Sequence, residues 1–386
     1  METKRFRLGG ANLSRKNCRS RHIRVLAPLA LALMLSLPAR AGFIPLGDLS
    51  GGNFSSGAFE CSSDGSVVVG YGFPSGQQAF RWTADGGMVA LGTIPNTYSS
   101  GAEGISGEGL VVVGQSGDEA FRWTSATGMV GLGDIPGGYF WSKAHAASSN
   151  GSVVAGYGWG AAGWEAFRWT TEAGMAGLGD LPGGSTESQA FDLSGDGSVV
   201  VGYGKSSSGT EAFRWTTEAG MAGLGDLPGG PFGSKATACS TDGTIVVGGA
   251  RSAAGWEAFR WTDGGDMIGL GDLPGGSVQS EARDVSADGS VVVGIADMGA
   301  AIQKAFIWDA VHGIRSLQDV LIEQGDDLTG WTLMNAEAIS DDGLTIVGIG
   351  KNSSGQSEAF VATIPEPATL SLLTLGGLAI LRRRRA

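Results

Sequence analysis

The chain has 386 residues, 68 of them glycine, with 42% hydrophobic and only 17% charged residues. Glycine follows no Gly-X-Y period, which excludes collagen, and little Lys or Glu beside abundant Gly, Val and Trp favours short strands and tight turns over long helices. Residues 42–364 hold 36 acidic against 13 basic residues, and a body carrying about −23 repels phosphate backbones, which excludes nucleic acid as a partner.

The N-terminus is basic through Arg15, Lys16, Arg19, Arg21 and Arg24. An apolar run from Val25 to Leu37 follows, then Pro38-Ala39-Arg40-Ala41. A basic region, an apolar region and small residues at Ala39 and Ala41 are the parts of a secretory signal. The apolar run is too short to span a bilayer. Residues 1–41 are therefore expected to be a signal peptide cleaved after Ala41.

Residues 42–364 are a repeat region. The motif AFRWT, or a variant, places Phe at 80, 121, 167, 213, 259, 306 and 360, with spacings of 41, 46, 46, 46, 47 and 54. A Ser-x-Ala element, a DG-type turn with an apolar run, and an LGDLPGG element recur in the same phase. The copy ending at Gly230 shows the parts: SQAFDLS, the turn Gly195-Asp196-Gly197, SVVVGYG, a glycine-rich loop, EAFRWT and GMAGLGDL. Four short runs bounded by turn residues read as four antiparallel strands. A period near 45 residues with four strands per unit predicts an all-β fold, a seven-bladed β-propeller. The phase adds closure. Phe43 to Asp48 is a lone fourth strand, and Ala359 to Thr363 is a third strand. Pairing them completes the last blade and removes exposed edges.

Residues 317–331 interrupt the seventh unit. Leu317, Val320, Leu321 and Gln324 fall at helical spacing and Gly325 ends the pattern, so a helix is expected here, as a plug or cap over one end of the ring, with a functional lid as the alternative. Cys61 and Cys239 occupy the same slot of two distant repeats and are expected to be small buried hydrophobes, not a disulfide. The tail, residues 365–386, has Pro365-Glu366-Pro367, an apolar run from Ala368 to Leu381, and Arg382, Arg383, Arg384 and Arg385. That run is short for a bilayer span, and the arginines favour a cytoplasmic C-terminus. The tail therefore fits a sorting signal held briefly at a membrane and then cut, with a permanent weak anchor as the alternative.

Candidate binding residues divide into two sets. Unrepeated aromatics come first: Tyr139, Phe140 and Trp141 precede the third unit's innermost strand, and Trp159, Trp164 and Trp256 lie in or beside loops joining second and third strands. Aromatics on one face stack on sugars or anchor a protein. The innermost strands supply the second set, Glu103, His145, Arg283 and Glu337, which face the central channel of a propeller. The phase-locked tryptophans Trp82, Trp123, Trp169, Trp215, Trp261 and Trp308 are expected to pack between sheets, and their neighbouring arginines to cover blade edges. The single Asp of each LGDL element lacks the dense spacing of a calcium loop. No acid/base pair, triad, metal cluster or cofactor motif is legible, so no catalytic residue, metal or cofactor is expected.

The tail, with Pro-Glu-Pro, apolar run and arginines in order, resembles the PEP-CTERM sorting signal of Gram-negative bacteria. That resemblance implies recognition by an exosortase in the inner membrane, cleavage near Pro365–Pro367, and delivery to the cell surface or extracellular matrix. The repeats, through EAFRWT, GMAGLGDLPGG, Ser-x-Ala and DGSVVVG, resemble the HAF family of extracellular repeats. The family's His before Ala-Phe is replaced by Gln78, Glu119, Glu165, Glu211, Glu257, Lys304 and Glu358. The function expected is that of an exported, non-enzymatic propeller that binds polysaccharide or a surface protein, or builds the matrix. The alternative is a polysaccharide-active hydrolase or lyase using the channel or the loop face.

Overall fold

A DG turn followed by β-branched residues closes a hairpin, and consecutive hairpins build a four-stranded antiparallel sheet. The computed structural model describes residues 42–275, 278–297 and 303–364, and they form seven such sheets. Blades 1 to 6 are continuous, at 56–92, 100–131, 142–177, 183–223, 229–271 and 280–316. The seventh takes its inner strands from Thr332–Ile339, Thr345–Lys351 and Ser357–Thr363, and its outer strand from Gly42–Pro45. Gly42 pairs with Thr363 and Pro45 with Phe360. The ring is thus the expected seven-bladed propeller closed by the N-terminal strand. The predicted signal peptide, with Ala39 and Ala41, and the tail from Pro365 onward lie outside the described residues.

Packing follows from the repeated motifs. The Phe of every AFRW copy, from Phe80 to Phe360, is 0% exposed, and these rings are the largest fully buried side chains. Each apolar cluster joins two neighbouring sheets. Val201 and Ala212 of blade 4, for example, meet Ala236, Val246 and Phe259 of blade 5. The phase-locked tryptophans do pack between sheets, but only half-buried at the cluster margins, as Trp261 does here. The final glycine of VVVG is required by a bulge in the inner strand. Pairing shifts between Ala190 and Asp192, and a Cβ on Gly202 would lie 1.9 Å from the Gln189 carbonyl oxygen.

Polar residues of the repeat join one blade to the next. Ser188 Oγ of blade 4 accepts the Ala166 amide of blade 3 at 3.0 Å and donates to the Gly179 carbonyl at 2.7 Å. Ser56 closes the ring in the same way, through Ala359 and Gly47. The arginines do more than cover edges. Arg168 and Arg214 donate from Nε to the DG-turn carbonyls of Gly197 and Gly243 in the following blade, each at 3.0 Å. The glutamates in the slot before Ala-Phe also have a fixed task, since Glu165 accepts the Gly179 amide at 3.1 Å. Ser188→Ala strands a buried amide and a half-buried carbonyl. It is expected to cost about 1–3 kcal/mol in urea unfolding with little change in the slope of the transition.

The helix appears at Leu317–Glu323, with Ser316 accepting the Asp319 amide as its N-cap. It is not a plug over the ring. Leu317, Val320 and Leu321 pack with Leu333, Phe360 and Ile364 between blades 6 and 7, and no helix residue lines the central cavity. The apolar stripe of the helix replaces the LGDLPGG connection of the other units and buries itself where that loop would lie. Cys61 and Cys239 are free and buried, and burial pushes both thiols well above their ordinary value.

Candidate functional site

Inner strands of all seven blades line one cavity of about 1100 Å³ on the ring axis. Its two ends differ. At the DG-turn end, main-chain hydrogen bonds run from blade to blade, including Ser63 to Gly107, Ser149 to Gly195 and Asp341 to Ser63. Thr241 Oγ1 adds a bond to Asp341 Oδ1 at 3.1 Å, from blade 5 to blade 7. Backbone drawn this close makes a narrow floor. The opposite end is open and carries Lys235, Arg251, Trp256, Gln279 and Glu281. The cavity is a funnel entered from the side of the long second-to-third-strand hairpins.

Glu103, His145, Arg283 and Glu337 all line this funnel. They converge as two pairs. Glu103 Oε1 meets Lys143 Nζ at 2.9 Å, and its other oxygen lies 3.8 Å from His145 Nδ1. Burial raises the Glu103 carboxyl, and the Lys143 ammonium opposes that rise. The His145 ring stacks on Tyr157, with centroids 5.4 Å apart and planes at 14°, and meets the Phe191 edge at 5.0 Å. Burial, then the nearby Lys143 charge, holds His145 well below its ordinary value, so it stays neutral, and its covered Nε2 has no hydrogen-bond partner among the described residues. On the far wall Arg283 Nη1 bonds Glu281 at 2.9 Å, and Glu337 accepts from Asn335 at 2.8 Å.

Sequence reading missed the level below. Glu60, Asp192 and Asp284 share the bulge column, where the other blades carry Gly104, Ala146, Ala238 and Ala338. Asp192 accepts its own neighbour Leu193 and the Cys239 amide of the next blade, at 2.7 and 2.8 Å. Asp284 does the same with Val285 and Ile339, at 2.7 Å each. Burial raises Asp192 to about 6. Burial, then repulsion from Asp192, pushes Asp284 up to about 8. Glu60 is raised well above its ordinary value by burial and then by Asp284. Three carboxylates in an otherwise small-residue column were the available signal.

The aromatic candidates do not form one set. Trp141, Trp159 and Trp164 form a cluster, with Trp164 4.8 Å from Trp141 and 4.7 Å from Trp159. Tyr139 joins it at 5.8 Å from Trp159 and is 76% exposed. Trp159 and Trp164 lie opposite each other in the hairpin strands. The cluster continues through Tyr157 to His145, Phe191 and Tyr203, an aromatic path from the rim into the funnel. Phe140 is exposed and makes no ring contact among the described residues. Trp256 stands apart, on blade 5, with its Nε1 bonded to Glu281 at 3.1 Å. Of the LGDL aspartates, Asp48, Asp226 and Asp272 hold turn amides, as where Asp48 accepts Leu49 and Ser55. Among the described residues no group of His, Cys, Asp and Glu is placed to hold a metal ion.

A seven-bladed β-propeller with an axial cavity narrowed at one end is the class this geometry defines. Residues 363–385 match the PEP-CTERM protein-sorting motif, the second defining feature of the chain. No curated protein matches it. Among solved structures it is similar to an oligogalacturonate lyase in complex with manganese, at 12% identity over 84% of this chain and 97% of that one, with a TM-score of 0.52. It is also similar to an oligogalacturonate lyase from Vibrio parahaemolyticus, at 10% identity over 84% and 97% of the two chains, with the same TM-score of 0.52. At these identities the likeness concerns the fold alone. No helix among the described residues is long and apolar enough to cross a membrane.

Proposed function

We propose that the chain is an exported, non-enzymatic β-propeller that binds a ligand through the open mouth of its cavity, at the cell surface or in the extracellular matrix. The observation that carries this reading is the engagement of the cavity carboxylates. Glu103 is held by Lys143, Glu281 by Arg283 and Trp256, and Asp192 and Asp284 by amides of adjacent blades. Groups so held shape a pocket, whereas a general acid or base needs a free proton path to substrate. The His145 ring is stacked on Tyr157 and abuts Phe191, which argues the same way. The rim aromatics offer stacking surface beside the mouth. Their triple substitution, Trp141→Ala, Trp159→Ala and Trp164→Ala, is expected to abolish or strongly weaken retention on a glycan array. Unchanged retention removes the rim from the site. Turnover of a matrix polymer that is lost in His145→Ala or Glu103→Ala overturns the non-enzymatic reading in favour of a hydrolase or lyase.

Delivery rests on the sorting motif, which implies recognition by an exosortase. In this reading residues 1–41 direct export and leave after Ala41, the tail holds the chain in the inner membrane, and cleavage near Pro365, Glu366 and Pro367 releases a HAF-type repeat domain. Replacing Arg382, Arg383, Arg384 and Arg385 with Ala, or Glu366 with Ala, is expected to leave uncleaved protein in the inner-membrane fraction. Release of either variant in parental amounts refutes exosortase processing at this motif.

A further inference from the structure

Among the described residues, most cations have an evident partner. Five arginines bond carbonyls of the next blade, as Arg168 and Arg214 do. In the cavity, Lys143 has Glu103 and Arg283 has Glu281, each at 2.9 Å. Within the cavity, Lys235 and Arg251 are the exception. Both line the cavity mouth, and neither has a carboxylate within ion-pair distance among the described residues.

Their placement is built into blade 5. Lys235 pairs with Gly249, and Arg251 lies two residues further along the same strand, so the two cations are diagonal neighbours on one face. Like charges so placed repel each other unless an anion sits between them. Each rests on an aromatic ring instead. Lys235 Nζ lies 4.4 Å from the Tyr203 centroid, and the Arg251 guanidinium carbon lies 5.9 Å from the Trp256 centroid. Room for the indole comes from a local change in the repeat. Blades 1, 3 and 4 carry Tyr71, Tyr157 and Tyr203 where blade 5 carries Gly249, and a Cβ there would lie 2.3 Å from Trp256 Nε1. Glu281 fixes that Nε1 and is itself neutralised by Arg283, which leaves the two cations as the unbalanced charge on this wall.

We infer that this wall of the mouth is an acidic-saccharide subsite, in which Lys235 and Arg251 take the carboxylate of a uronic acid and Trp256 lies along its ring. The inference rests on the proposal that the cavity mouth binds a ligand, and it deepens that proposal by naming the chemistry. Paired cations suit a carboxylate, and a flat indole suits the apolar face of a sugar. The strongly acidic body repels a long polyanion, but screening over roughly 8 Å at physiological salt lets a short acidic chain end reach the mouth.

The test uses protein purified from cells expressing the full chain and titration calorimetry. The probes are tetramannuronate and mannotetraose, its neutral counterpart without carboxylates. The acidic tetramer is expected to bind at least about tenfold more tightly than the neutral one. Lys235→Ala and Arg251→Ala are each expected to remove most of that preference without moving the melting temperature, and Arg251→Lys to restore part of it. Equal affinity for the two tetramers, or acidic binding unchanged in the double Ala variant, overturns the subsite while leaving neutral binding at the mouth intact as the broader reading. Failure of mannuronate, guluronate, glucuronate and galacturonate tetramers alike also overturns it, and the glycan array then decides the broader reading separately.

Discussion

Removal of residues 42–49 is expected to lower the melting temperature by on the order of 10 °C and to promote aggregation. The segment contributes a whole strand to blade 7, and Leu46 extends it with a bond from its amide to the Ala359 carbonyl at 2.9 Å. Phe43 packs on Trp331 and Phe360, with centroids 4.9 and 5.7 Å away, while Leu46 and Leu49 are each 7% exposed. Three such side chains stabilise a fold by about 5 kcal/mol or more together. Their loss also bares the edge of Ser357–Thr363, a template for pairing with other chains. Calorimetry and light scattering of the truncated and parent chains measure both effects. A permutant that places the same strand after residue 364 keeps every contact and is expected to melt near the parent. A truncated chain that melts with the parent shows that blade 7 stands on three strands.

Stability is expected to rise as pH falls from about 8 to about 5, the reverse of a protein held by salt-bridged carboxylates. The sign comes from the cavity. Asp192 and Asp284, at about 6 and about 8, and Glu60, raised well above its ordinary value, keep their protons in the folded state over a range where the unfolded chain has lost them. Their contribution is complete below the unfolded values and is lost as pH rises through the folded ones. Asp192 alone, shifted from 3.8 to about 6, is worth on the order of 3 kcal/mol across that interval. His145 acts oppositely below its unfolded value of 6.5, because it is held neutral by burial, and it offsets one of the three carboxylates. Below about 4 the trend reverses, since Asp64, Asp196, Asp242 and Asp288 have lowered values from hydrogen bonds in the DG turns and lose stability as they protonate. Melting temperatures across pH 4 to 9 test this, with Asp284→Asn expected to flatten the upper limb by about one proton. A parent chain whose stability is level between pH 5 and 8 refutes the protonated carboxylates.

Much of the scaffold was legible because it is written in near neighbours. The DG turn, the VVVG run and the AFRWT strand lie next to one another in each copy, and hairpin pairing joins residues a few positions apart. The tasks of conserved-phase polar residues were less legible, because Ser188, Arg168 and Glu165 act on the adjoining unit or its connection. The helix is visible from its period but its position is not, since Leu317, Val320 and Leu321 show an apolar stripe without showing what covers it. The aromatic candidates stand out as unrepeated residues, but only packing separates the cluster around Trp164 from Trp256, which occupy the same slot of blades 3 and 5.

By itself the sequence determined the ring. A repeat of four strand-like runs, begun on a fourth strand and ended on a third, leaves a broken blade that is satisfied by pairing its two halves. The cavity belongs to the tertiary structure. Glu60, Asp192 and Asp284 influence one another across the axis although more than 90 residues separate neighbours in that series. Lys235 and Arg251 become notable only once the carboxylates around them are seen to be engaged elsewhere. Charge in a cavity is a sum over all seven blades, and no single repeat contains that sum.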